Sequence, residues 1–164
     1  MEIFEIILIL ATFLCSLTAG FLFAFAVVIM PGIGELNHRA FLRAFQVIDR
    51  IIQNNQPLFV LVWLGSAVAL VLSAVLGFGQ LDNAWRLLLI SAVFVYLLGV
   101  QLPTVTINVP LNNQLQTLDV DAMSETALSA AREAFEPRWN RWNSIRTILA
   151  CLVSVLLMIL LLTL

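Results

Sequence analysis

Apolar and polar positions are segregated along this chain into long blocks. Four stretches, 6–30, 57–81, 87–118 and 147–164, are almost free of charge, and each is long enough to cross a bilayer. A spanning helix needs roughly 20 apolar residues at about 1.5 Å each. The third stretch is too long for one crossing, so part of it leaves the bilayer. The pattern predicts spanning helices over about 4–30, 57–79, 85–109 and 142–164. Between the first two, residues 35–55 have helical rather than loop periodicity. Phe41, Phe45, Ile48 and Ile52 form an apolar stripe, and Arg39, Arg43, Gln46, Arg50 and Gln53 a polar one. Pro31-Gly32 and Pro57 bracket this segment, which reads as an amphipathic helix lying under the bundle. A second helical connector is expected over about 121–141. The expected fold is therefore all-α: a single four-helix transmembrane domain with two interfacial helical segments.

Two polar stripes interrupt the apolar pattern. Gln101, Thr104, Asn108 and Asn112 recur at spacings of three, four and four, placing them on one face of a continued third helix. Amides in hydrocarbon are costly without partners, so this stripe should face the bundle interior. Pro103 and Pro110 flank it, each removing a backbone donor, so a kink or unwinding is expected there. Irregular backbone at that depth is tolerated where protein or a cavity covers it. On the approach to the fourth helix, Arg132, Glu136, Asn140, Asn143 and Thr147 form the matching stripe. Trp139 and Trp142 stand where interfacial tryptophans are expected, and their crowding with Arg138, Arg141 and Arg146 suggests a mouth lined by cation–π contacts.

Composition and charge narrow the class. A mean hydropathy of +1.02 with only 11% charged residues excludes a water-soluble domain. All eight basic residues are arginines, and seven lie in the segments joining the first span to the second and the third to the fourth. The positive-inside rule then puts those segments in the cytoplasm and both termini outside, in the plasma membrane. The acidic start Met1-Glu2-Ile3-Phe4-Glu5 and the long apolar run are unlike a secretory leader, so the first stretch reads as a retained helix. A net charge of −2 argues against nucleic acid. Gly32-Ile33-Gly34 lacks the third glycine and the strand of a nucleotide loop. Cys15 and Cys151 lie in apolar stretches and read as small packing residues. Ala19, Gly20, Ala24, Gly65 and Ala69 permit close helix contact, within the chain or with a second copy.

The runs FQVIDRIIQN at 45–54, PLNNQL at 110–115 and WNRWNSIRT at 139–147 resemble the anthrone oxygenase-like family along essentially the whole chain. The resemblance implies a small four-helix membrane protein. It also implies oxidation of a lipophilic phenolic or polyketide-type aromatic by molecular oxygen, without an obvious organic cofactor. By position, Gln46, Asn54, Asn108, Pro110, Asn112, Trp139, Trp142, Asn143 and Arg146 match its motifs. Asp49 stands where the family leads one to expect an asparagine.

An anthrone carries a benzylic CH₂ whose deprotonation gives an electron-rich anion that meets oxygen directly. Such chemistry calls for a base, donors for the developing oxyanion and an apolar slot. His38, the lone histidine, is the first candidate for the base, with Glu136 or Asp49 as alternatives. Asn108, Asn112, Asn143 and Arg146 are candidates for the oxyanion donors. Phe41, Phe45, Trp139 and Trp142 are expected around the rings, with Gln46, Asp49, Asn54, Gln101 and Thr104 completing the polar lining. A resident metal or haem is not expected: His38 and Asp49 are about 16 Å apart along one helix, and no metal-ligand spacing occurs. Two other classes stay open. One is a non-enzymatic membrane component whose stripes brace the helices. The other is a small-solute carrier, which the scarcity of polar groups in the second and fourth spans disfavours.

Overall fold

A computed structural model describes residues 2–164. These form five helices: α1 (Ile3–Gly34), α2 (His38–Gln53), α3 (Pro57–Gly77), α4 (Asn83–Gln116) and α5 (Glu125–Leu161). Among the described residues there is no strand. The four helices other than α2 are long and apolar enough to cross a membrane. The helix starts are written locally. Asn37, Asp82 and Ser124 each accept a first-turn backbone N–H at the heads of α2, α4 and α5, and Gln56 precedes Pro57 at the head of α3. Asn55, at φ 55°, takes the left-handed conformation after α2, which asparagine tolerates better than most residues.

Helix length divides the molecule into two layers. At about 1.5 Å per residue, the 37 residues of α5 reach about 55 Å, far beyond a hydrocarbon core of about 30 Å. Helices α1 and α4 overrun it as well, and the three project on the arginine-rich side. The membrane layer packs Phe4, Leu8 and Cys15 of α1 against Leu70 of α3, Leu89 and Tyr96 of α4, and Val153 and Leu157 of α5. Most of its hydroxyls are satisfied in place, Ser16 Oγ being buried without a partner. Thr12, Thr18, Ser73 and Ser154 donate to the carbonyl four residues back, and Ser66 Oγ lies 2.7 Å from Tyr96 Oη. Ile9, Phe13, Leu61, Val75, Phe94 and Val155 point outward, as lipid-facing side chains must. Gly77 lets the Phe4 ring close on α3: a Cβ there would stand 2.6 Å from Cε2.

The projecting layer has its own core of Phe25, Met30, Phe41, Phe45, Leu111, Leu115, Phe135 and Trp139. Helix α2 closes this layer. Arg39 donates to the Val120 and Met123 carbonyls, Gln46 to those of Leu115 and Leu118, and Arg43 pairs with Asp121. The connector and the fourth span are one unbroken helix, with Pro137 on an exposed face.

The prolines of α4 do not break it. Three wide π-helical turns occur, at Phe25–Ile29 in α1 and at Leu97–Gln101 and Thr104–Asn108 in α4. Pro103 immediately precedes the last of these, and Pro110 lies in the turn that follows it. Widening accommodates the missing donor and the ring, so the helix continues with a shifted register.

Candidate functional site

The polar stripes of α4 and α5 meet face to face, and the contacts fall into two groups. The first centres on Asp49, 3% exposed on the inner face of α2. Its Oδ1 accepts from Asn112 Nδ2 at 2.7 Å. Its Oδ2 accepts from Gln53 and Gln116 side-chain amides at 2.7 and 2.9 Å. Asn112 is thereby oriented: with its amino group on the carboxylate, its Oδ1 accepts the Trp139 indole N–H at 2.8 Å. Burial raises the Asp49 carboxyl above its usual range, and the three amide hydrogen bonds oppose that shift. Both Asp49 oxygens and Asn112 Oδ1 thus have a donor.

The second group lies one to two turns deeper and centres on Arg146, 4% exposed. One terminal nitrogen donates to Thr104 Oγ1 at 2.8 Å and the other to Asn143 Oδ1 at 3.0 Å. Asn143 Nδ2 donates to the Leu22 carbonyl, just before the π turn of α1, at 3.1 Å. Asn108, 2% exposed, gives its amino group to the Trp139 carbonyl at 3.4 Å. Unlike the first group, this one is incomplete. Arg146 Nε and Asn108 Oδ1 are buried with no hydrogen-bond partner, and no carboxylate of the described residues pairs with the guanidinium. A lone buried guanidinium is expensive, and its cost is offset only by an opposing charge or a full set of acceptors.

A cavity of about 200 Å³ lies between α1 and α5, lined by Ala26, Met30, Pro31, Gly34, Glu136, Asn140 and Ser144. Glu136 Oε2 accepts from Arg132 Nε at 2.6 Å, and Arg132 also donates to the Gly34 and Leu36 carbonyls, pinning the end of α1. This cavity does not open onto Arg146. Ser144 and Arg146 are two residues apart, hence about 200° around the helix axis.

The structure thus brings together Asn108, Asn143, Thr104 and Arg146, and beside them Asp49, Asn112, Gln46 and Trp139. It sets other expected residues apart. His38 starts α2, three turns from Asp49, with Nδ1 buried and unpartnered. Glu136 faces the cavity. Gln101 donates to the Trp63 carbonyl on α3, displaced from the stripe by the π turns. Asn54 is exposed at the end of α2. Gln46, grouped by spacing with the solvated face, is buried as a cap on the end of α4, while Val47 and Ile51 are exposed.

The expected aromatic slot is filled. Phe45 and Trp139 pack edge-on with centroids 5.3 Å apart, and Phe135 closes on Phe45 at 4.6 Å. Trp139 is therefore core rather than headgroup belt, and Trp142 alone stays half-buried. The cation–π contacts are Arg132 over Phe41 and Arg86 over Phe78, neither at a tryptophan. Gln116 and Gln53, the other donors to Asp49, are not among the expected site residues. The four-residue spacing of Thr104, Asn108 and Asn112, continued one turn, points to Gln116. Among the described residues no three His, Cys, Asp or Glu side chains gather closely enough to hold an ion.

No curated protein and no solved structure matches the chain. A family model described as anthrone oxygenase matches residues 45–156, which hold both polar groups and begin after His38 and Phe41. With more than half of its length so matched, this four-span membrane chain belongs to the anthrone oxygenase family.

Proposed function

We propose that the protein is a membrane oxidoreductase that oxidises a lipophilic phenolic or polyketide-type aromatic with molecular oxygen. The observation that carries this reading is the contrast between the two polar groups. The Asp49 carboxylate and the Asn112 amide are fully partnered and brace α2, α4 and α5. The Arg146 group keeps a donor and an acceptor unused at membrane depth, inside the family-matched segment. Polar side chains that only glued helices together would complete their bonds with each other.

In the reaction so read, the benzylic carbon loses one proton, and the resulting anion gives up electrons to O₂ and forms a C–O bond. The peroxide is protonated. Loss of the second benzylic proton with cleavage of the O–O bond leaves a ketone, and the other oxygen departs as water. One anthrone and one O₂ thus become one anthraquinone and one H₂O. Arg146, held by Thr104 and Asn143, stabilises the negative charge on the substrate's existing ring oxygen, and Asn108 orients the same edge of the substrate. Oxygen and substrate both enter from the bilayer, and the arginine-rich layer lies in the cytoplasm. No organic cofactor or resident metal has a role in this scheme.

The test is oxygen uptake with a simple anthrone by the full chain in nanodiscs, corrected for autoxidation in empty discs. Saturable uptake that falls at least about 100-fold in Asn108→Ala and Arg146→Ala, with thermal unfolding little changed, is the expected result. Uptake no faster than autoxidation, or variants that lose stability but not turnover, would favour the bracing role instead.

A further inference from the structure

The unpartnered cation of the second group has a consequence for the charge of what binds there. We infer that the Arg146 site takes its ligand as a lipophilic organic oxyanion, a phenolate or enolate already ionised, selecting that form rather than generating it with a base of the protein. This deepens the oxygenase reading and rests on the same site.

Three observations point this way. The Arg146 guanidinium is nine-tenths buried in a spanning helix and touches only neutral oxygens, Thr104 Oγ1 and Asn143 Oδ1. Thr104 in turn gives its proton to the Val100 carbonyl at 2.6 Å, so its oxygen is committed as an acceptor to the guanidinium. Nε remains free for one more acceptor, and arginine keeps its charge even when desolvated. In a low-dielectric setting the acceptor that relieves this cost best is one that carries charge.

The groups able to accept a proton from the ligand face elsewhere. Glu136 is on the cavity side of α5, bonded to Arg132, and Arg138 and Arg141 are exposed. On the neighbouring helices, Cys15 and Tyr96 lie deeper in the bilayer, with Tyr96 bonded to Ser66. Glu5 and Arg86 are at the far end of the bundle, and α3 has no titratable side chain. His38 and Asp49 are on α2, none of whose side chains bonds to Arg146, Asn143 or Thr104. The proton must therefore leave before the ligand docks.

The experiment uses para-nitrophenol, whose phenolate is coloured, with the full chain in nanodiscs and with empty discs as reference. Its methyl ether, para-nitroanisole, has the same shape and cannot ionise. Wild-type protein is expected to bind the phenolate at least about tenfold more tightly than the neutral phenol, seen as a lowering of the bound probe's pKa by about one unit or more. The ether should compete at least tenfold more weakly. Arg146→Gln should abolish the preference, and Arg146→Lys should keep part of it. Equal binding of phenol and ether, no binding of the phenolate, or a preference that survives in Arg146→Gln would each overturn the inference. If Arg146→Gln does not fold, the phenol–ether comparison in the wild type still decides. Phenolate selection without anthrone turnover would leave this inference standing and remove the oxygenase reading; turnover without selection would do the reverse.

Discussion

At the scale of single residues, the Asp49 group is governed by donor and acceptor counting. Three amide N–H donors converge on two carboxylate oxygens, which only a group with no N–H of its own can accept. Asp49→Asn turns one oxygen into a donor facing donors. The expected cost is about 1–3 kcal/mol, read as a lower unfolding temperature in nanodiscs. The carboxyl is raised in the folded state by burial, so its contribution to stability runs opposite to that of a salt-bridged aspartate. It is fully present below the unfolded value of about 4 and lost as pH rises through the raised one. Wild-type unfolding temperature should fall over that window, and the fall should be missing in Asp49→Asn. Trp139→Phe preserves the ring packing but strands Asn112 Oδ1, at a cost of about 1–3 kcal/mol by the same measurement. Asp49 also marks a departure from the asparagine expected there, and the structure accommodates it through Gln53, Asn112 and Gln116.

At the scale of elements, close helix contact and wide turns decide the register. Gly77 of α3 faces the flat Phe4 ring, which cannot swing aside as the end of an aliphatic chain can. Gly77→Ala should therefore destabilise the bundle by about 1–3 kcal/mol despite alanine's better helix propensity. Phe4→Leu in the same chain should restore part of the loss; equal stability of Gly77→Ala and wild type would contradict this packing. On α4, hydrophobic spacing indicated a polar face, and the face exists over Thr104, Asn108 and Asn112. Gln101 left it because a π turn uses more than 3.6 residues, which shifts every position before it. The two prolines were visible as disturbances in the sequence. Whether they would kink, unwind or widen the helix depended on what α5 packs against it.

For the whole molecule, the two-layer form follows from three helices that outrun the bilayer and a fourth amphipathic helix that closes their projecting ends. The orientation proposed from the arginine count puts that layer in the cytoplasm, and it can be tested directly. A membrane-impermeant thiol reagent should label Asn55→Cys in inverted vesicles and Gln80→Cys in right-side-out cells, with the native Cys15 and Cys151 shielded in spanning helices. The opposite pattern would reverse the orientation without touching the fold.

Residue order alone determined the number of spans, the all-helical class, the amphipathic α2 and the two polar stripes. Each depends on local length, hydropathy and periodicity, which lipid and helix geometry read directly. Only the tertiary structure decided which polar residues were completed and which were left open. Asp49 found three donors, Trp139 turned from the headgroup belt into the core, and Glu136 was given to a cavity on the far side of α5. Arg146 met no counter-charge. Those outcomes depend on how three separate helices rotate against one another. A rotation of one residue position, about 100°, carries a side chain from the bundle interior toward lipid without altering any local pattern.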